Sequence, residues 1–162
     1  MDIKIAGKVA HSFVNGPGIR YVLFFQGCPH HCPGCQNPET HDVSGGETTT
    51  TEAILADIKS TKFLDGVTFS GGDPLMQPDA LLELSKAVHD MGLNVWVYTG
   101  YTYEALKEKG LLKALAYVDV LVDGPFIMDL RSEETIWRGS SNQRLVNVQK
   151  SLRQDKLILY QK

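Results

Sequence analysis

The sequence predicts an α/β fold in which mostly parallel strands form an incomplete, open β/α barrel. Apolar runs of strand length alternate with helical patterns along the chain, the order expected of strands joined by crossover helices. Four of those runs end in polar or glycine-rich loops: the cysteine loop after Gln26, Gly71–Pro74, Tyr98–Gly100 and Asp123–Gly124. In parallel sheets and barrels, ligands bind at the carboxyl ends of the strands, so these loops are expected to meet on one edge. The strand count is too low for a full eightfold barrel. With 162 residues, the chain suits one domain, 1–162, able to bury a core without metal or disulfide staples.

The elements follow in order. Tyr21–Gln26 is aromatic and β-rich and runs straight into the cysteines. Thr49 with Glu52 reads as a capping box for a helix through about Ile58. Val67–Ser70 reads as a short buried strand. Pro78 suits the first turn of a helix with an apolar face of Leu81, Leu82, Leu84 and Val88, and Gly92 is its expected stop. Val95–Thr99 is the next strand, and Thr102 the expected cap of a helix carrying Leu106. Val118–Val122 is another buried strand. The chain then turns polar through Arg131–Arg144 and ends with a short apolar Leu157–Tyr160.

Apolar residues make up 43% and charged residues 22%, with a net charge of -3. That balance is ordinary for a soluble globular protein. No long charged run argues for nucleic acid or a membrane surface, and no apolar run is long enough to span a bilayer. Met1–Ile5 lacks the basic start and apolar stretch of a secretory signal, so a cytoplasmic location is expected.

All three cysteines lie at Cys28, Cys32 and Cys35. An odd, clustered set points to metal or redox chemistry rather than a disulfide framework. Pro29, Pro33, Gly27 and Gly34 stiffen the loop and let it turn sharply. Thiolates favour zinc or iron–sulfur clusters. A cubane cluster is usually held by four cysteines, so three would leave one iron open to a small molecule. The competing readings are a zinc site completed by His30, His31 or His41, and an electron-transfer ferredoxin, which needs a fourth ligand.

The other strand ends carry further candidates. In Gly71-Gly72-Asp73-Pro74 the glycines let backbone carbonyls approach a ligand, and the acidic Asp73 favours an ammonium group. Alone, these four residues also read as a simple turn. Asp123 could accept hydrogen bonds from ribose hydroxyls or cap a turn. Thr99 and Tyr98 could line the same pocket, although a buried phenol more often packs in a core. His30 and His31 could shield the cluster, bind substrate or sit in solvent.

Cys-x-x-x-Cys-x-x-Cys directly after a strand, followed by Gly71-Gly72-Asp73-Pro74, resembles the radical S-adenosylmethionine superfamily. The resemblance implies an open barrel of that superfamily's type. It implies a 4Fe–4S cluster on Cys28, Cys32 and Cys35 whose open iron chelates the amino and carboxylate groups of S-adenosylmethionine. It also implies that the Gly71–Pro74 motif receives the methionine amino group. The usual motif has glutamate where this chain has Asp73.

Gly16-Pro17-Gly18-Ile19-Arg20, Phe24-Phe25-Gln26-Gly27-Cys28, Leu121–Phe126 and Trp137–Arg144 resemble glycyl-radical-enzyme activating proteins, and among them those serving anaerobic ribonucleoside-triphosphate reductases. This implies that a 5′-deoxyadenosyl radical removes hydrogen from a glycine Cα of the reductase large subunit. A reduced flavodoxin or ferredoxin-like protein would supply the electron. Arg131–Arg144 would carry part of the partner contact unless it is a solvated loop, and Arg138 and Arg144 could bind carboxylates of the partner or of S-adenosylmethionine. The alternatives are a small radical enzyme acting on a free molecule, such as a deazapurine carboxylate synthase, and a zinc-stabilised binding module.

Overall fold

The computed structural model describes residues 1–30, 32–35, 38–131 and 137–161. Its strands are β1 (Asp2–Ser12), β2 (Arg20–Phe25), β3 (Glu47–Thr50), β4 (Gly66–Gly71), β5 (Asn94–Tyr98), β6 (Val120–Asp123) and β7 (Arg144–Asn147). Its α-helices are α1 (Thr51–Ser60), α2 (Pro78–Asp90), α3 (Tyr103–Glu108) and α4 (Val148–Gln154).

One seven-stranded sheet runs β3-β1-β2-β4-β5-β6-β7. The central β2, β4, β5 and β6 are parallel. The flanking pairs β1–β2, β1–β3 and β6–β7 are antiparallel. Half of the six pairings are therefore antiparallel, and the sheet is mixed rather than mostly parallel. β3 and β7 end the order, and the outer side of β7 is bridged by Leu159, with Asn147 N donating to Ile158 O and Tyr160 N to Leu145 O, each at 2.8 Å.

The central strands are buried almost throughout: β2, β4 and β6 contain no exposed residue. This is what a parallel sheet covered on both faces demands. All four helices feed the larger cluster. Ile54, Ile58, Leu81, Leu84, Val88, Leu106 and Val148 pack with Leu23, Phe25, Phe69, Val97 and Leu121. On the other face, Trp96, Val120 and Val122 pack with Tyr98, Trp137, Leu145 and Tyr160.

Arg20 lies at the start of β2 with no exposed surface. Its guanidinium donates to the Thr68 hydroxyl at 2.7 Å and to the carbonyls of Pro17 (2.9 Å) and Val67 (3.0 Å). It also sits 5.6 Å from the Trp96 ring centroid. Burial pushes its pKa down to about 10. Gly16 has no side chain because a Cβ there would stand 3.0 Å from Arg20. The Gly-Pro-Gly-Ile-Arg motif thus floors the sheet at the amino ends of β2 and β4, away from the strand ends that carry the chemistry.

The helix signals hold with one shift. Thr50, not Thr49, caps α1 by accepting from Ala53 N. Glu52 accepts from the Met1 ammonium at 2.8 Å instead of closing a capping box. Pro78 opens α2, Gly92 follows it at φ +82, and Thr102 caps α3. Among the described residues, no helix is long and apolar enough to cross a membrane.

Candidate active site

The carboxyl ends of β2, β4, β5 and β6 meet at one cleft with a cavity volume of about 170 Å³. Cys28, Cys32 and Cys35 line it together with Ser70, Gly71, Gly72, Tyr98, Thr99, Gly100 and Gly124. The four loops predicted to converge do so.

The cysteine loop leaves β2 through Gly27 at φ +104. Gly27 N donates to Thr40 O at 2.6 Å and Cys28 N to His41 O at 3.2 Å. Asp73 N donates to Gly27 O at 2.8 Å, and Gly72 N to Phe25 O at 3.1 Å. The loop root is therefore bonded to the end of β4. Gly71 has φ +121, and a Cβ there would run into the backbone N and O of Phe25; one on Gly72 would run into Gly27 O. These glycines exist because two strand ends come too close for a side chain.

Two acidic residues stand where the sequence put them but are held differently. Asp73 is fully buried. Its carboxylate accepts from His30 Nε2 at 2.6 Å, Thr99 Oγ1 at 2.9 Å, Gly100 N at 3.0 Å and Leu75 N at 3.0 Å. Four donors occupy a group with about four acceptor sites, so Asp73 supports the loops rather than reaching into the cleft. Pro74, also buried, opens the short 3₁₀ turn Pro74–Met76 that Asp73 caps. Neither residue lines the cavity.

Asp123 is likewise fully buried. It accepts from Tyr103 N at 2.8 Å and pairs with Arg144, whose Nε is 3.0 Å from Oδ1 and whose Nη2 is 2.5 Å from Oδ2. The capping role fits it, and its carboxylate does not face the cavity. Arg144 also binds Glu104, so its charge is met within the fold rather than offered to a partner carboxylate. The Asp123 and Glu104 carboxylates hold the guanidinium well above its ordinary pKa.

Thr99 and Tyr98 do line the cavity. The Tyr98 hydroxyl donates to Trp137 O at 2.5 Å, and burial pushes its pKa above the ordinary tyrosine value. Sequence reading missed Asn15, Gly139 and Gln143 as lining residues. Gln143 donates to Gly124 O at 3.0 Å and accepts from Gly139 N at 2.8 Å, tying the 139–143 turn to the end of β6. Gly139 and Gln143 fall within the Trp137–Arg144 motif, whereas Asn15 precedes the Gly16–Arg20 motif and belonged to none. Arg138 donates to Gln143 O at 3.0 Å. His31, Gln36, Asn37 and 132–136 lie outside the described residues.

A family model described as a 4Fe-4S single cluster domain matches residues 14–146, a span that contains all three cysteines. The anaerobic ribonucleoside-triphosphate reductase-activating protein of Salmonella typhi is 42% identical over 139 residues, covering 80% of this chain and 89% of that protein. The chain belongs to the family of anaerobic ribonucleoside-triphosphate reductase-activating proteins. The activating proteins of Escherichia coli K12 (40% over 139 residues; 80% and 89% covered) and Enterobacteria phage T4 (41% over 140; 82% and 86%) are similarly close. The crystal structure of QueE from Escherichia coli shares the fold, with a TM-score of 0.54 at 17% identity over 76% of this chain and 71% of that one.

The donor set suits the cluster of this activating-protein family. Three thiols face one cleft, and no disulfide joins them. Residues 14–146, which hold all three cysteines, match a 4Fe-4S single cluster domain, and this favours the iron–sulfur reading over the zinc module.

Proposed function

We propose that this chain activates an anaerobic ribonucleoside-triphosphate reductase by radical S-adenosylmethionine chemistry within a single domain, 1–162. Cys28, Cys32 and Cys35 would hold the 4Fe–4S cluster and leave one iron open. Gly71, Gly72, Tyr98 and Thr99 would line the S-adenosylmethionine site, with Asp73, Pro74 and Asp123 supporting it from behind. The observation that carries the reading is that the three cysteines share one cleft with the glycine-rich ends of β4 and β5.

With both groups bound, one electron from the cluster would break the sulfonium C5′–S bond, giving methionine and a 5′-deoxyadenosyl radical that takes a hydrogen atom from a glycine Cα of the reductase. The chain's own residues bind and confine. Gly71, Gly72 and Gly100 line the cleft, and their missing side chains let Phe25, Gly27 and His30 close up against them. Phe126 and Tyr98 give the wall apolar surface against water. The glycine would enter on a flexible loop of the reductase large subunit. A reduced flavodoxin or ferredoxin-like protein would be the electron donor, and the setting the cytoplasm.

Anaerobic reconstitution with iron and sulfide, reduction, and addition of S-adenosylmethionine tests the proposal. 5′-Deoxyadenosine should form with the native chain and not with Cys32→Ala. A fully loaded, reducible cluster that releases none, even with the reductase present, would overturn it.

A further inference from the structure

His30 lies inside the cysteine loop, two residues after Cys28 and two before Cys32. Its ring is packed and directed. Nε2 is 2.6 Å from Asp73 Oδ2, and the Tyr101 ring meets it edge-on with centroids 4.5 Å apart. Gly100 has no side chain where this imidazole sits: a Cβ there would stand 2.8 Å from His30 Cγ and Nε2. Two loops besides its own are therefore shaped around one imidazole.

The acceptor is equally committed. Asp73 is fully buried, and its other bonds go to Leu75 N, Thr99 Oγ1 and Gly100 N. Leu75 follows the end of β4, and Thr99 and Gly100 follow the end of β5. One carboxylate thus joins the cysteine loop to the ends of β4 and β5, two of the strand ends at the cleft. A hydrogen bond between buried groups is worth most where no water competes for it.

We propose that His30 is a positioning residue: by donating to Asp73, it fixes the cysteine loop against the ends of β4 and β5 and so sets where the open iron stands relative to the S-adenosylmethionine site. The proposal rests on the function proposed above and adds the group that registers its two halves. His30 also lines the cleft, but the role proposed for it is one of positioning. Its action passes through the Asp73 bond, as outer-shell partners orient the ligands of metal sites.

The test compares the native chain with His30→Ala and His30→Gln after anaerobic reconstitution. Glutamine returns an amide N–H near the position of Nε2; alanine does not. Three quantities are read: iron and sulfide content, the electron paramagnetic resonance spectrum of the reduced cluster with and without S-adenosylmethionine, and the affinity for S-adenosylmethionine. His30→Ala should bind S-adenosylmethionine about 10-fold more weakly and show a diminished spectral response to it, while His30→Gln restores most of both. If alanine fails to retain the cluster, the glutamine variant decides, because restored loading and response support the positioning bond. Native-like binding and response in His30→Ala overturn the proposal, as does a His30→Gln variant no better than alanine. A native cluster whose spectrum ignores S-adenosylmethionine overturns the functional reading and this proposal with it. A native response that His30→Ala leaves unchanged overturns this proposal alone.

Discussion

Asp123 and Arg144 form a two-pronged pair across β6 and β7, with Arg144 Nε 3.0 Å from one Asp123 oxygen and Nη2 2.5 Å from the other. The carboxylate side chain is 1% exposed and the guanidinium 33%. Removing the cation strands a buried charge with one remaining backbone donor, Tyr103 N. Arg144→Met should therefore cost about 3 kcal/mol, the low end of the range for breaking a buried pair. Adding Asp123→Asn should recover part of that loss. Urea unfolding of the two single variants and the double variant measures both terms; additive losses would show that the pair is not coupled.

Arg20 poses a different problem, a buried cation facing neutral acceptors. Its planar fork reaches Thr68, Pro17 and Val67 together, which a lysine ammonium cannot do. Arg20→Lys should destabilise the fold by about 2 kcal/mol, through acceptors left unpaired. The cleft is at the opposite strand ends, so iron loading should be preserved under conditions where the variant is folded. Unchanged unfolding free energy would contradict the account of the Gly-Pro-Gly-Ile-Arg floor.

Gly71 tests the close approach of β2 and β4. A Cβ at φ +121 meets Phe25 backbone atoms that cannot swing aside. Gly71→Ala should cost about 3 kcal/mol or more and reduce iron loading in the folded fraction. A thermal melt and an iron assay on the same sample check it. A native melt with native loading would mean that the strand ends can part without consequence.

Acid should loosen the fold at a definite point. The Asp57 carboxyl is held below its ordinary value of 3.8, first by its bond to Lys8 and then by the Tyr21 hydroxyl. A depressed carboxyl contributes stability that is present above the unfolded pKa and is lost as pH falls through the folded one. Stability should therefore be flat above about pH 5 and fall below about pH 4. Asp57→Asn should reduce the slope there, and parallel urea melts of the two chains from pH 3 to 7 would detect it. A slope unchanged by the substitution would assign the acid loss to other carboxylates, such as Glu104, which Arg144 holds low in the same way.

The strands that carry the site were legible because burial on both faces leaves continuous apolar runs ending in glycine, as in Val67–Ser70 before Gly71. β1 was not, because its only buried apolar side chains are Ile3 and Ile5 and the rest is mixed. β3 is a short edge of Glu47 and threonines, and β7 follows a polar stretch. Those three strands supply all the antiparallel pairings, so missing them made the sheet look more parallel than it is. The cysteines and glycines of the site were legible from spacing. The direction of the acidic side chains was not: Asp73 is turned by His30, 43 residues away, and Asp123 by Arg144, 21 residues away. Partners so distant in sequence leave no local pattern.

In the function proposed here, this cleft makes a radical on another protein. The most direct measurement is electron paramagnetic resonance of the anaerobic ribonucleoside-triphosphate reductase after mixing with the reconstituted, reduced chain and S-adenosylmethionine. The account predicts an organic radical on the reductase that requires both proteins, requires S-adenosylmethionine, and disappears with Cys32→Ala. Release of 5′-deoxyadenosine with no radical on the reductase, or the same radical with the Cys32→Ala chain, would contradict it.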